Sequence, residues 1–233
     1  MKFIIIVGKK GVGKDTFAQM LEKKLAAVGV QTKSRALATP LKQTLTRMLR
    51  CDPKIFNDPM LKETACDELY GRTPREVMQQ FGTEFAQGMF GPNIWVDMLL
   101  ADCAHDAETD VTIVTDVRFK HELDKFVDLG AEVIYIHKDV TCFDEGVKSF
   151  GLKWLGRIHK KGNHVSEAGL DQFRRAGVDA LVLNNWTLHN LDEQADQWVN
   201  QRISMYKQPK PRRRRTDRPL SGQGIRNPHN IPK

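Results

Sequence analysis

Residues 2–17, KFIIIVGKKGVGKDTF, limit the fold more than any other part of this chain. Residues 3–7 are apolar without alternation, so a strand made from them must be covered on both faces. A parallel sheet with helices on each side provides that cover. Glycines 8, 11 and 13 follow at once, and a helical pattern runs from Lys14 to about Val28. Gly8, four residues, Gly13 and Lys14 have the spacing of a phosphate-binding loop. Gly11 and Gly13 let the backbone curl until successive N–H groups face one anion, and the following helix adds its positive end. Residues Gly11, Val12, Gly13, Lys14, Asp15 and Thr16 are therefore assigned to the phosphates of a nucleotide, with Lys14 reaching the β- and γ-phosphates.

The loop departs from the usual form at one place. A Ser or Thr normally follows the lysine and holds magnesium through its hydroxyl; here Asp15 stands there and Thr16 comes one residue late. A carboxylate is also a hard oxygen ligand, so Asp15 suits the ion directly or through water. The competing reading is an acidic first-turn residue that only favours the helix dipole. The sequence leaves both open.

Apolar strand, loop and amphipathic helix recur along the body. Residues 30–37, 111–116, 131–138 and 178–184 read as further strands. Helices are expected from Pro40, from Thr73 as N-cap with Pro74 and Glu76 behind it, from Pro92 to about His105, over 118–130, from Ser166, and over 190–206. Residues 51–72 read as loop with one short helix. The alternation predicts an α/β fold, a three-layer parallel sheet with helices on both faces, whose ligands sit at the carboxyl ends of the strands.

No apolar run reaches membrane-span length, which speaks against a membrane partner. Four cysteines without a CxxC pair read as scattered thiols of a reducing, cytoplasmic compartment. The net charge of +7 is uneven: residues 207–233 hold nine of the 36 basic residues and one of the 29 acidic ones, leaving 1–206 at −1. The expected organisation is thus one domain over 1–206 and a basic, proline-rich, disordered tail over 207–233. That tail suits loose nucleic-acid contact through phosphates, with a plain solvated appendage as the alternative.

The segments GKKGVGKDTFA, TPREVMQQFGTEFAQ with IWVDML, TDVRFKHE, and HVSEAGLD occur in an order and spacing that resemble the phage deoxynucleoside monophosphate kinases. The resemblance covers about residues 1–185 and excludes the tail. It implies a P-loop kinase fold with a small helical lid, ATP and Mg2+ as cofactors, small nucleotide substrates, a homodimer, and the host cytoplasm. It also implies that Lys10 faces the acceptor nucleotide.

Transfer between two phosphates needs no general base; it needs alignment and cations. Arg75, in the first turn of the capped helix, and Lys42 are the candidates for the acceptor phosphate, each with a surface residue as the bland reading. Asp116 ends an apolar strand, where it suits a water of the magnesium shell, and Arg118 two residues on suits a phosphate; a turn Asp with a surface Arg is the alternative. Residues 148–164 hold five Lys or Arg with Phe150 and Trp154, and resemble a lid over about 145–165 that delivers Arg157 to the transferring group. Gln79, Gln80 and Trp95 are assigned to the base and sugar, with Trp95 as a stacking face and a place in the core as its alternative. His164 and Glu167 receive no role. A kinase for another phosphorylated acceptor such as phosphomevalonate, and a nucleotide-gated nucleic-acid-binding module, are the rival functions.

Overall fold

The computed structural model describes residues 1–138, 178–185 and 187–206. The expected lid with Arg157, the helix expected from Ser166 and the basic tail lie outside the described residues.

In chain order the elements are β1 (Lys2–Val7), α1 (Lys14–Ala27), β2 (Thr32–Arg35), α2 (Ala38–Leu49), α3 (Lys54–Asn57), α4 (Pro74–Gln79), α5 (Gly88–Phe90), α6 (Ile94–Ala104), β3 (Val111–Val114), α7 (Lys120–Asp128), β4 (Glu132–Lys138), β5 (Ala180–Asn184) and α8 (Leu188–Tyr206). The strands form one sheet in the order β2-β3-β1-β4-β5. All pairings are parallel, with Ile4 opposite Ile113 and Ile6 opposite Ile134. The unalternating β1 lies in the middle because both its faces are apolar. Phe3, Ile5 and Val7 enter a core with Leu41 and Leu45 of α2, Val96 and Leu99 of α6, and Leu123 and Phe126 of α7. Ile4 and Ile6 enter a second core with Phe17, Leu21 and Leu25 of α1 and Leu191, Ala195 and Trp198 of α8. The result is the three-layer sandwich that the strand–helix alternation requires. Among the described residues no helix is long and apolar enough to cross a membrane.

Three departures from the expected elements bear on the site. Helix α2 begins at Ala38, two residues before Pro40, because the Asp116 carboxylate accepts the N–H groups of Leu37 and Ala38, each at 2.9 Å. Pro40 is tolerated there because a first-turn N–H has no helical partner to lose. Helix α7 begins at Lys120, not Arg118, because Glu122 accepts the N–H groups of Arg118 and Phe119 at 2.9 and 3.0 Å. The helix capped by the Thr73–Glu76 box does not stay α-helical: residues Gln80–Gln87 form a π-helix before α5. Gly82 lies within that π-helix against α2, where a Cβ would come within 2.9 Å of a Leu41 methyl group.

Candidate active site

With all strands parallel, their carboxyl ends share one edge of the sheet, and the glycine loop crosses that edge at the end of β1. Gly8, Gly11 and Gly13 have φ of 153, 74 and 95°. A side chain at Gly8 would strike the Ile136 carbonyl oxygen of β4, so the loop can hug the sheet only with glycine there. Asn184, buried at the end of β5, donates its Nδ2–H to the Val12 carbonyl at 2.9 Å and so ties the loop to a strand two places along the sheet. Sequence reading passed over Asn184; its one signal is an amide ending an otherwise apolar strand. Lys14 arches back over the loop, donating from Nζ to the Gly8 and Lys9 carbonyls at 2.8 and 2.9 Å. Asp15 is exposed and accepts the Thr115 hydroxyl hydrogen at 2.7 Å, which joins the first turn of α1 to the end of β3.

Asp116 has a duty that the sequence did not show. Its two oxygens hold the start of α2, each accepting one backbone N–H. Loss of hydration raises its pKa, against the opposing pull of the Ala38 and Leu37 N–H groups and of Arg118. Glu122 is buried and likewise has its pKa raised by burial, with two backbone N–H groups acting the other way. These two carboxylates bracket residues 116–122 and fix the backbone from which the exposed Arg118 projects.

The cations chosen from the sequence gather on this side of the molecule. Arg75 donates from Nε to Glu63 at 2.6 Å and also bonds it through Nη2. Lys42 donates to the Asn57 side-chain oxygen at 3.0 Å. Lys62 lies among them: burial lowers its pKa most, followed by repulsion from Lys42, Arg75 and Arg118. Lys10 of the loop acts on the same group, since it helps Arg75 and Lys62 to lower the pKa of Glu63, the Arg75 hydrogen bond being the largest cause. Loop, α2, α4 and the β3–α7 connection thus present Lys10, Lys42, Arg75 and Arg118 to one region.

Trp95 is not a stacking face. It is 8% exposed, packs in the core under α2, and spends its indole N–H on the Gly82 carbonyl at 3.0 Å. An amphipathic side chain whose N–H finds an internal acceptor is more stable buried than lining a polar pocket. Gln80 accepts from Arg72 at 2.6 Å and borders a concavity of about 630 Å³ with Leu45, Met48, Phe81 and Phe85, whose lining includes none of Lys10, Lys42, Arg75 and Arg118. Gln79 is partly buried on the same helical segment.

The sequence model described as deoxynucleotide monophosphate kinase matches residues 60–195, more than half of the chain. The chain belongs to the deoxynucleotide monophosphate kinase family. It is a phosphotransferase of the nucleotide-kinase kind, and the family's matched span includes Arg75, Arg118, Lys62 and Asn184. A protein of Acanthamoeba polyphaga mimivirus, itself provisionally named a deoxynucleotide monophosphate kinase, is 25% identical over 209 residues, spanning 83% of this chain and 94% of that one. Solved structures that align include dephospho-CoA kinase from Campylobacter jejuni, at 16% identity and TM-score 0.46 over 86% of this chain and 96% of that one. Shikimate kinase from Acinetobacter baumannii in complex with shikimate aligns at 14% identity and TM-score 0.44 over 89% and 96%. At those scores the fold rests on the sheet order and the glycine loop themselves.

Proposed function

We propose that this member of the family transfers the γ-phosphoryl group of ATP to a deoxynucleoside monophosphate, giving the diphosphate and ADP. The observation that supports this reading is the gathering of Lys10, Lys42, Arg75 and Arg118 beside a phosphate loop. A nucleotide hydrolase needs one anion site; a second group of cations suits a second anionic substrate.

In this reading the N–H groups of residues 11–16 and Lys14 hold the donor phosphates. Lys14 exchanges its bonds to the Gly8 and Lys9 carbonyls for phosphate oxygens, a short swing because both carbonyls belong to the loop itself. Arg75, Lys42 and Lys10 receive the acceptor phosphate, and Arg118, steadied through Glu122, neutralises charge between the two. Gln79 is the remaining candidate for contact with the nucleoside. Arg157, from outside the described residues, is the candidate for the transferring group.

Magnesium fits the donors present. Magnesium is commonly held by one or two carboxylates together with water and substrate phosphates. Asp15, exposed at the loop and oriented by Thr115, is the residue that would hold it. Bound there, the ion would supply charge neutralisation to the phosphates. The acceptor anion attacks without a general base, so alignment and positive charge are what the protein must provide.

The test is ADP release by the full chain with Mg–ATP and each deoxynucleoside monophosphate in turn, with ribonucleoside monophosphates and phosphomevalonate in parallel. Turnover with at least one deoxynucleoside monophosphate is expected. None with any of them, or turnover with phosphomevalonate alone, refutes the reading.

A further inference from the structure

Lys62 belongs to none of the segments from which the site was read, yet its position is closely set. It sits on the single turn Leu61–Glu63. Asp58 caps that turn, its Oδ1 accepting the N–H groups of Met60 and Leu61 at 2.8 and 3.0 Å. The Lys62 N–H goes to the Asp58 carbonyl at 3.1 Å, and the Thr64 hydroxyl to that of Met60 at 3.1 Å. On one side the next residue, Glu63, grips Arg75. On the other, Asn57, which ends α3 just before the capping Asp58, holds Lys42. The turn therefore sets Lys62 between the partners of two cations already chosen for the acceptor phosphate.

The charge pattern there is lopsided. Among the described residues Arg75 has Glu63, and Lys42 has only a neutral amide. The Lys62 side chain is half-buried, and among the described residues it makes no hydrogen bond or ion pair. A partly buried ammonium beside like charges is unfavourable unless an anion completes the site. The bland alternative, a lysine stem lying over apolar surface with its head in water, leaves the nearby cations unexplained.

We infer that Lys62 is a further acceptor-phosphate ligand, completing with Lys42, Arg75 and Arg118 a cradle for the phosphate monoester of the deoxynucleoside monophosphate. The inference rests on the proposed function and names one more residue of that same site. The proton affinity of Lys62, lowered first by burial and then by Lys42, Arg75 and Arg118 against the opposing pull of Glu63, agrees with it, since such a group gains when a dianion arrives.

The experiment is calorimetric titration of the full chain with a deoxynucleoside monophosphate and, separately, with the matching deoxynucleoside. Wild type is compared with Lys62→Gln, Lys62→Arg and, as a surface control, Lys54→Gln. Loss of one charge-assisted hydrogen bond should weaken monophosphate binding about tenfold in Lys62→Gln, with deoxynucleoside binding and melting temperature unchanged. Lys62→Arg should keep most of the affinity, and Lys54→Gln all of it. In turnover assays the Lys62→Gln change should appear in KM for the acceptor and not in KM for ATP. Monophosphate binding by Lys62→Gln within twofold of wild type overturns the inference, as does equal loss for monophosphate and deoxynucleoside. If the wild type phosphorylates deoxynucleoside monophosphates while Lys62→Gln is indifferent, only the inference falls. A wild type that binds none of them overturns both it and the proposed acceptor.

Discussion

Gly8→Ala should be far more damaging than Gly11→Ala, although both glycines belong to the same loop. At Gly8 a Cβ would approach the Ile136 carbonyl oxygen well inside 3.0 Å and a Val12 methyl at 3.0 Å. Ile136 is fully buried in β4, which is paired on both sides, so its backbone cannot yield. The loop must lift instead. Forcing a methyl group into a packed position costs about 1–3 kcal/mol, and an L-residue at φ 153° adds about 1 kcal/mol or more. A total of about 3 kcal/mol follows. At Gly11 nothing lies within 4 Å of the added Cβ, so only the left-handed φ of 74° is penalised, about 1–2 kcal/mol. Urea unfolding measures both. With a slope of about 2–3 kcal/mol per molar, Gly8→Ala should lower the midpoint by roughly 1 M or more and Gly11→Ala by about one to two thirds of that. Gly8→Ala should also weaken ATP binding, because the Gly8 carbonyl that Lys14 now holds would move. Equal midpoints, or a larger loss in Gly11→Ala, would refute the claim that contact with β4 fixes the first glycine.

Other outcomes can be checked with the same material. Asp15→Ala should raise the magnesium concentration for half-maximal rate more than tenfold, and Thr115→Val should raise it a few-fold by freeing the carboxylate; an unchanged magnesium dependence in Asp15→Ala would leave Asp15 as a helix-dipole residue only. Asp106 has its pKa lowered from 3.8 to about 2, chiefly by the Thr109 hydroxyl, with Lys33 contributing. Because the folded value is the depressed one, its stabilisation is full above about pH 4 and lost as pH falls toward 2. Melting temperature in Asp106→Asn should therefore fall less steeply across that window, and parallel curves would contradict it. Deleting residues 208–233 should leave phosphoryl transfer within a few-fold of the full chain; loss of activity would instead favour a nucleic-acid-binding arm essential to function.

Much of the architecture was legible because it depends on local periodicity and on spacing. The unalternating residues 3–7, the glycines behind them and the Thr73–Glu76 capping box each specify an element without reference to distant parts of the chain. Lys10, Lys42, Arg75 and Arg118 were legible as cations at element starts, and they do gather. Trp95 stayed undecided between pocket and core because an indole in an apolar helix looks the same whether its N–H meets a ligand or the Gly82 carbonyl. The π-helix over Gln80–Gln87 was missed because its apolar spacing passes for that of an α-helix.

The sequence by itself determined the sheet-and-helix alternation, the phosphate loop and the neutral body with its basic tail. Tertiary structure alone decided what the carboxylates do. Asp116 reads in the sequence as the end of a strand, and only packing brings α2 to it, where its two oxygens accept backbone N–H groups with no helical partner of their own. Tertiary structure also brought Lys62 beside Lys42 and Arg75 from a turn without a motif. Helices and strands follow from interactions a few residues apart, whereas a site depends on charges separated along the chain and joined only by packing.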